Sequence, residues 1–254
     1  MKKIMLTAVF LCDVLILSGQ FTHSSFKEDQ KKNSRVKTAY LENENAAKKL
    51  LKKNSIEINS LKIFIRVFKK EALMEVWAAD KNKSVYSLFK TYKICSSSGD
   101  LGPKRKAGDG QVPEGFYRVE GFNPASNFYL SLKVNYPNES DRILSNAKKP
   151  GGDIFIHGNC VTIGCIPVTD DKIKEVYLLA VEAKNAGQKI IPVHIFPCRM
   201  DSSGMKYLLK EYSKQQSLLS FWKNLQQGFD FFEKEKRVPE VTINKTGSYS
   251  FKTP

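Results

Sequence analysis

Residues 154–168 read Ile154-Phe155-Ile156-His157-Gly158-Asn159-Cys160-Val161-Thr162-Ile163-Gly164-Cys165-Ile166-Pro167-Val168. A short β-forming run ends in a His-Gly pair, and a Thr-x-Gly-Cys turn follows before the next apolar step. The run predicts a buried strand, Ile154 to Ile156, that delivers His157 to its end. The chain has only three histidines, and this one stands eight residues before Cys165. A thiol becomes a nucleophile when a nearby base takes its proton, and a strand end followed by a tight turn suits that geometry. A buried structural cysteine is the competing reading, because cysteine packs as a small hydrophobe. Immediately downstream, Thr169-Asp170-Asp171 reads as a helix N-cap with an acidic first turn. Ile173, Val176, Tyr177, Ala180 and Val181 follow on one face, with a stop at Gly187. Backbone N–H groups ahead of such a helix can hold a developing oxyanion.

The flanks extend the β character. Val36 to Lys53 carries Val36, Tyr40, Ala47, Leu50 and Leu51 among charges, the pattern of an amphipathic helix. From Leu61 the period changes: Ile63, Ile65 and Val67 alternate with Phe64, Arg66 and Phe68. Leu73-x-Glu75-x-Trp77 and Val85–Tyr92 follow after short polar turns, giving a β-meander. Ser96–Gly115 is a long loop rich in Gly, Pro and Ser, of the kind that carries function or moves. Gly108-Asp109-Gly110 within it lacks the surroundings of a phosphate loop. Phe116–Glu120, Phe128–Val134 and Ile190–Phe196 read as further strands. Met205–Lys214 and Leu218–Phe232 read as amphipathic helices before a strand-like Val241–Ile243. The fold class is mainly β with flanking helices (α+β), without internal repeats. The expected organisation is a leader at 1–19, a basic linker and N-terminal helix at 20–60, a catalytic domain at 61–200, and a helical extension at 201–254 packed on it. Within the second segment, residues 20–35 read as linker.

At 254 residues and 41% hydrophobic, the chain can bury a proper core. The formal charge is +15, and residues 27–70 hold thirteen Lys and Arg against five Asp and Glu. Such a balance suits an anionic partner or a solvated basic face. No nucleic-acid motif accompanies it, so no nucleic-acid partner is expected. Met1-Lys2-Lys3 followed by the apolar Ile4–Leu17 and Ser18-Gly19 has the form of a secretory leader, predicting an exported, periplasmic or wall-associated protein with no other membrane contact. Four cysteines, 95, 160, 165 and 198, then remain. Two pairings stand open: Cys160 with Cys165, which would silence the thiol, or Cys95 with Cys198, which leaves a reactive one. A zinc site drawn from His157, Cys160, Cys165, His194 and Cys198 lacks ligand spacing, and no metal is expected. His194 reads as a strand residue making a hydrogen bond.

Ile156-His157-Gly158 and Thr162-x-Gly164-Cys165-Ile166 resemble the signature of YkuD-type L,D-transpeptidases. The contracted eight-residue gap resembles the YafK-like branch of that family. Ile65-Arg-Val-Phe68, Glu75-Val-Trp77, Ile94-Cys95, Ser98-Gly-x-Leu-Gly-Pro-Lys104, Gly108-Asp109, Val112-Pro-Glu-Gly-Phe-Tyr117, Asn123-Pro-x-Ser126, Tyr136-Pro-Asn138, Asp141-Arg142 and Ile191–Phe196 match as well, so the likeness runs from about 60 to 200. It implies a YkuD-like catalytic domain that acts on peptidoglycan stem peptides without a cofactor. Cys165 would be the nucleophile, His157 the base and Gly158 the carbonyl that orients it. Backbone N–H groups at Gly164 and Cys165 would form the oxyanion hole, with Arg142, Tyr136, Ser126 and Thr162 binding substrate. A thioester on Cys165 would pass to an amine in transpeptidation or to water in hydrolysis. One activity in the branch is release of a wall-linked lipoprotein, an amidase outcome of the same chemistry. A non-catalytic wall-binding module is the remaining alternative.

Overall fold

The computed structural model describes residues 24–145 and 148–254, so the expected leader at 1–19 lies outside the described residues. Among those described, no helix is long and apolar enough to cross a membrane.

The scaffold is an eight-stranded sheet. In chain order its strands are β1 (Leu61–Phe68), β2 (Leu73–Asp80), β3 (Ser87–Lys93), β4 (Gly115–Ser126), β5 (Tyr129–Val134), β6 (Phe155–His157), β7 (Ile166–Pro167) and β8 (Pro192–Phe196). Their order across the sheet is β3-β2-β1-β8-β4-β5-β6-β7. Pairing is antiparallel except for β1 with β8 and β6 with β7. The alternation read in β1 separates two faces that are both buried. Ile63, Ile65 and Val67 enter one core, and Phe64 and Phe68 enter cores on the other side. A strand covered on both faces reads as near-continuous apolar sequence, which is what this stretch shows.

The first face is covered by α2 (Ser34–Lys52) and α4 (Asp170–Asn185). Val36, Ala39, Tyr40, Ala47 and Leu51 are the buried stripe of α2, as its periodicity predicts. From residue 24 on, the segment read as linker is mostly helical. It holds α1 (Phe26–Lys31), capped by the Ser25 hydroxyl, and α2 already starts at Ser34 with Asn33 as its cap. Six residues are too few to show a period. The helix is anchored by Phe26, whose ring meets Phe122 edge-on at 5.0 Å, and by polar contacts to α4: Lys27 with Glu182 at 2.7 Å and Gln30 accepting from the Tyr177 hydroxyl at 2.6 Å.

α4 begins where the sequence places it, but its Thr169 cap makes no side-chain hydrogen bond. Asp170 turns back instead and accepts the Asn159 N–H at 2.8 Å, fastening the helix start to the loop after His157. Past Gly187, the Gln188 amide bonds both the N–H and the C=O of Ile63 at 2.8 Å. It thereby satisfies strand groups that β8 is too short to reach.

The second face is covered by α5 (Ser202–Glu211), α6 (Gln216–Glu235) and the hairpin of β9 (Glu240–Ile243) and β10 (Tyr249–Lys252). Both helices follow the predicted amphipathic stretches, while β10 carried no clear signal. A short helix, α3 (Glu139–Leu144), opens with a capping box between Asn138 and Asp141. His194 lies in β8 between the rings of Phe64 and Phe116, at 4.5 and 4.6 Å. The hydrogen bond expected of it is missing at Nδ1, which has no partner. Burial accordingly drives its pKa well down, so the ring is neutral and serves as packing.

Candidate active site

The site is built on the two-residue parallel pairing of β6 and β7. Ile156 pairs with Ile166, and both point into the first core. Side chains alternate, so His157 and Cys165 fall on the opposite face, one step either side of that pair. The sulfur contacts the Asp153 carbonyl at 3.5 Å, and the Phe155 backbone also bonds it.

Two contacts hold the imidazole and a third fixes its backbone. Nδ1 lies 2.5 Å from the Gly158 carbonyl oxygen, which only a protonated Nδ1 can satisfy, leaving Nε2 as the basic nitrogen. The Phe128 ring covers the imidazole at 4.6 Å with a 32° tilt. The His157 carbonyl accepts the Val168 N–H at 2.8 Å, tying it to the strand that follows Cys165. Gly158 is required by close approach, since a Cβ there would stand 2.5 Å from Asp170 Oδ1 and 3.0 Å from the Phe128 carbonyl.

Thr162 organises the turn before the thiol. Its hydroxyl accepts the Gly164 N–H at 3.1 Å and donates to the Cys165 carbonyl at 2.8 Å. The Thr162 side chain is thus spent on backbone, and the Gly164 N–H that the oxyanion expectation used is spent on the Thr162 hydroxyl. Gly164 itself has φ +132°, and a Cβ would meet the Gln111 carbonyl at 3.0 Å, so no other residue fits there without strain.

Burial pushes the Cys165 thiol up, although the Phe155 backbone bond and Lys104 pull the other way. Burial also lowers the His157 pKa against the opposing Gly158 bond. At neutral pH the resting pair is therefore a thiol and a neutral imidazole.

Cys165 lines a cavity of about 290 Å³ whose walls include Ser96–Leu101 and the tyrosines Tyr207 and Tyr212 from the α5 region. The long loop read at 96–115 is a wall of this cavity and is fixed by buried charge. Glu114, fully buried, accepts from Lys69 at 3.0 Å, the Gly102 N–H at 2.8 Å and Trp222 Nε1 of α6 at 2.7 Å. Asp109, in the stretch that only superficially looked like a phosphate loop, accepts from Lys104 and from the N–H groups of Arg105, Lys106 and Gln111.

Neither cysteine pairing left open by the sequence occurs. The disulfide joins Cys95 to Cys160 with Cα atoms 5.4 Å apart, leaving Cys165 and Cys198 free. The reason is topological: Cys95 donates its N–H to the Pro167 carbonyl at 3.1 Å, so the end of β3 runs beside β7. Cys198 is buried in the second core, where burial pushes its thiol up to about 12. The bridge closes a 65-residue separation and pins the loop between His157 and Cys165 to the serine wall. Removing it as Cys95→Ala with Cys160→Ala is expected to cost about 2–4 kcal/mol in urea unfolding. A loss below about 0.5 kcal/mol would show that the bridge is dispensable to the fold.

Three residues expected at the substrate lie outside this cavity. Tyr136 is buried, its hydroxyl donating to the Pro150 and Lys104 carbonyls at 2.9 and 3.2 Å, and so packs the segment leading to β6. Arg142 is exposed on α3 and borders two other surface clefts. Ser126 sits behind the imidazole: its hydroxyl accepts the Phe128 N–H at 3.1 Å, while Arg35 clamps the Ser126 and Tyr129 carbonyls at 2.6 Å. Ser126 thus supports Phe128, a residue that the sequence reading passed over. An aromatic at a hairpin tip is the one signal that marked it.

An imidazole oriented by a carbonyl at the end of β6 and a free thiol just ahead of β7, bordering a small cleft, are the residue types that a thiol-dependent acyl-transfer site uses. Residues 62–195 match the YkuD family, the L,D-transpeptidase catalytic domain, and the chain belongs to that family. It is 35% identical over 183 residues to the Escherichia coli protein named "Putative L,D-transpeptidase YafK", covering 71% of this chain and 70% of the relative, in both strain K12 and O157:H7. Among solved structures it resembles the helical cell shape determining protein Pgp2 from Campylobacter jejuni, with TM-score 0.43 and 18% identity over 73% of this chain and 74% of that one. It also resembles Bd1075 from Bdellovibrio bacteriovorus, with TM-score 0.39 and 19% identity over 72% and 77%. The function is therefore peptidoglycan-related and of the L,D-transpeptidase type.

Proposed function

We propose that the protein is an exported, cysteine-dependent acyltransferase acting on peptidoglycan stem peptides through a thioester on Cys165. The observation that supports this reading is the 2.5 Å contact between His157 Nδ1 and the Gly158 carbonyl, which leaves Nε2 as the basic nitrogen on the strand paired with β7, which starts one residue past Cys165. His157 Nε2 takes the thiol proton as the sulfur bonds to the carbonyl carbon at the L-centre of a diamino-acid residue. The C–N bond then breaks, and the imidazolium returns its proton to the departing amine. An incoming amine or water attacks the thioester, gives its proton to Nε2, and releases Cys165 as the thiol. The Cys165 N–H is the candidate oxyanion donor, since the Gly164 N–H is occupied by Thr162.

Incubation of the protein with purified stem tetrapeptides, followed by intact-protein and product mass spectrometry, tests the reading. An acyl mass on the protein is expected, with cross-linked dimers, shortened stems or a released lipoprotein identifying the acceptor or leaving group. Binding to sacculi with no acyl adduct on any substrate would make the chain a wall-binding module.

A further inference from the structure

The cavity beside Cys165 contains charge that the reaction just described does not use. Lys69 is neutralised by Glu114 at 3.0 Å. Lys70 and Asp100 line the same cavity, are exposed, and join no ion pair among the described residues. Lys70 stands against a tyrosine of the C-terminal extension. Lys70 Nζ lies 4.5 Å from the Tyr207 ring centroid, a cation–π contact that restrains an otherwise mobile side chain. Asp100 lines the cavity from the loop wall formed by Ser96–Leu101. Tyr212 is itself fixed edge-on to Trp222 at 4.9 Å, and Trp222 holds Glu114. Ser98, on the loop wall, has a hydroxyl without a protein partner. One uncompensated cation and one uncompensated anion therefore border a space of about 290 Å³. That volume lies at the lower end of ligand sites, roughly 300–1,000 Å³, and admits an amino-acid residue but not a disaccharide.

We propose that this cavity is a subsite for an amino-acid end bearing both a free carboxylate and a free ammonium, with Lys70 binding the carboxylate and Asp100 the ammonium. The proposal rests on the reading of Cys165 as the nucleophile, because the subsite presents that end beside the sulfur. It makes the extension part of the recognition surface: Tyr207 and Tyr212 lie beyond the 62–195 span of the family domain. It also predicts selectivity. Amidation of the carboxylate or acylation of the amine removes one of two charges that the site pairs, so modified or already cross-linked ends bind poorly.

Calorimetry on the full chain carrying Cys165→Ala separates binding from turnover. The probes are a diamino-acid tetrapeptide with both groups free, its carboxamide, and its N-acetyl derivative. The free peptide is expected to bind about tenfold tighter than either derivative, the scale of one hydrogen bond to a charged group. Adding Lys70→Met should cost about tenfold for the free peptide and leave the carboxamide unchanged, while Asp100→Asn should abolish only the preference over the N-acetyl form. Equal weakening of all three peptides, no weakening, or no binding of any peptide at millimolar concentration overturns the subsite. Failure of the nucleophile assignment reads out elsewhere, as turnover by the Cys165→Ala protein, and leaves the binding result standing.

Discussion

Cys165→Ala is expected to lower kcat/KM on stem peptides by at least about 10³-fold and to eliminate the acyl adduct, because Cys165 is the thiol that lines the cavity and none of the cavity's serines is hydrogen-bonded to a histidine that could activate it. The thermal midpoint should stay within a few degrees of the parent, since Cys165 is only half-buried and contributes to none of the three cores. His157→Ala removes the base and is expected to cost about 10²–10⁴-fold. The two losses should not add, because both residues serve one proton transfer. The pH profile follows from the directions of the two shifts. The pKa of His157 is lowered, so activity should persist to a pH below the ordinary ~6.5 before falling about tenfold per unit as the imidazole protonates. Cys165 is raised, so iodoacetamide should label it slowly at pH 7 and faster only in alkaline solution. Rapid labelling at pH 6, as from a preformed thiolate, would contradict the neutral resting pair. Full turnover by the alanine variant would remove the thioester from the mechanism.

How much of this was legible in the sequence depends on how local the determining contacts are. His157, Gly158, Thr162, Gly164 and Cys165 fall within nine residues, and strand periodicity with turn chemistry was enough to place them together. The strands on either side of Arg66, the amphipathic stripe of α2 and the start of α4 are equally local. Contacts between distant segments were not legible. The Cys95–Cys160 bridge depends on β3 running out beside β7, which no cysteine spacing encodes. Phe128 reaches His157 only because β5 pairs with β6, bringing Ser131 opposite His157. The cavity wall at Tyr207 and Tyr212 comes from a helix about forty residues past the motif. Tyr136 and Ser126 show the converse risk: a residue shared with a family motif can have its polar group spent on the scaffold. Tyr136 and Ser126 spend their hydroxyls on neighbouring backbone.

Glu75→Ala is expected to destabilise the protein by about 3–5 kcal/mol, the cost of stripping a buried guanidinium of its counter-charge. Arg66, on β1, is completely buried on the face that α6 covers, with the rings of Phe229, Phe232 and Phe68 at 4.8, 4.9 and 5.0 Å from its guanidinium carbon. Its Nη1 pairs with Glu233 of α6 at 2.7 Å and lies 3.8 Å from Glu75 of β2, while Nε and Nη2 have no partner. Glu75 also accepts from Trp77 Nε1 at 2.8 Å and pairs with Arg199. It is thus the buried anion shared by two arginines, and burial presses on the charge of Arg66, lowering its pKa. Glu233 is more than a third exposed, so solvent screens its pairing, and Glu233→Gln should cost only about 1 kcal/mol. The double variant Arg66→Met with Glu75→Met should recover much of the loss, since a hydrophobic replacement of matched volume removes the desolvation penalty with the charges. Urea midpoints of the singles and the double close this cycle; a cost below about 1 kcal/mol for Glu75→Ala would show that water reaches Arg66 once the carboxylate is gone. The consequence extends to the site. α6 carries both Glu233, which engages Arg66, and Trp222, which holds Glu114 and buttresses Tyr212. Loosening the Arg66 cluster should therefore raise KM through the cavity wall while kcat, set by His157 and Cys165 on the far edge of the sheet, changes little.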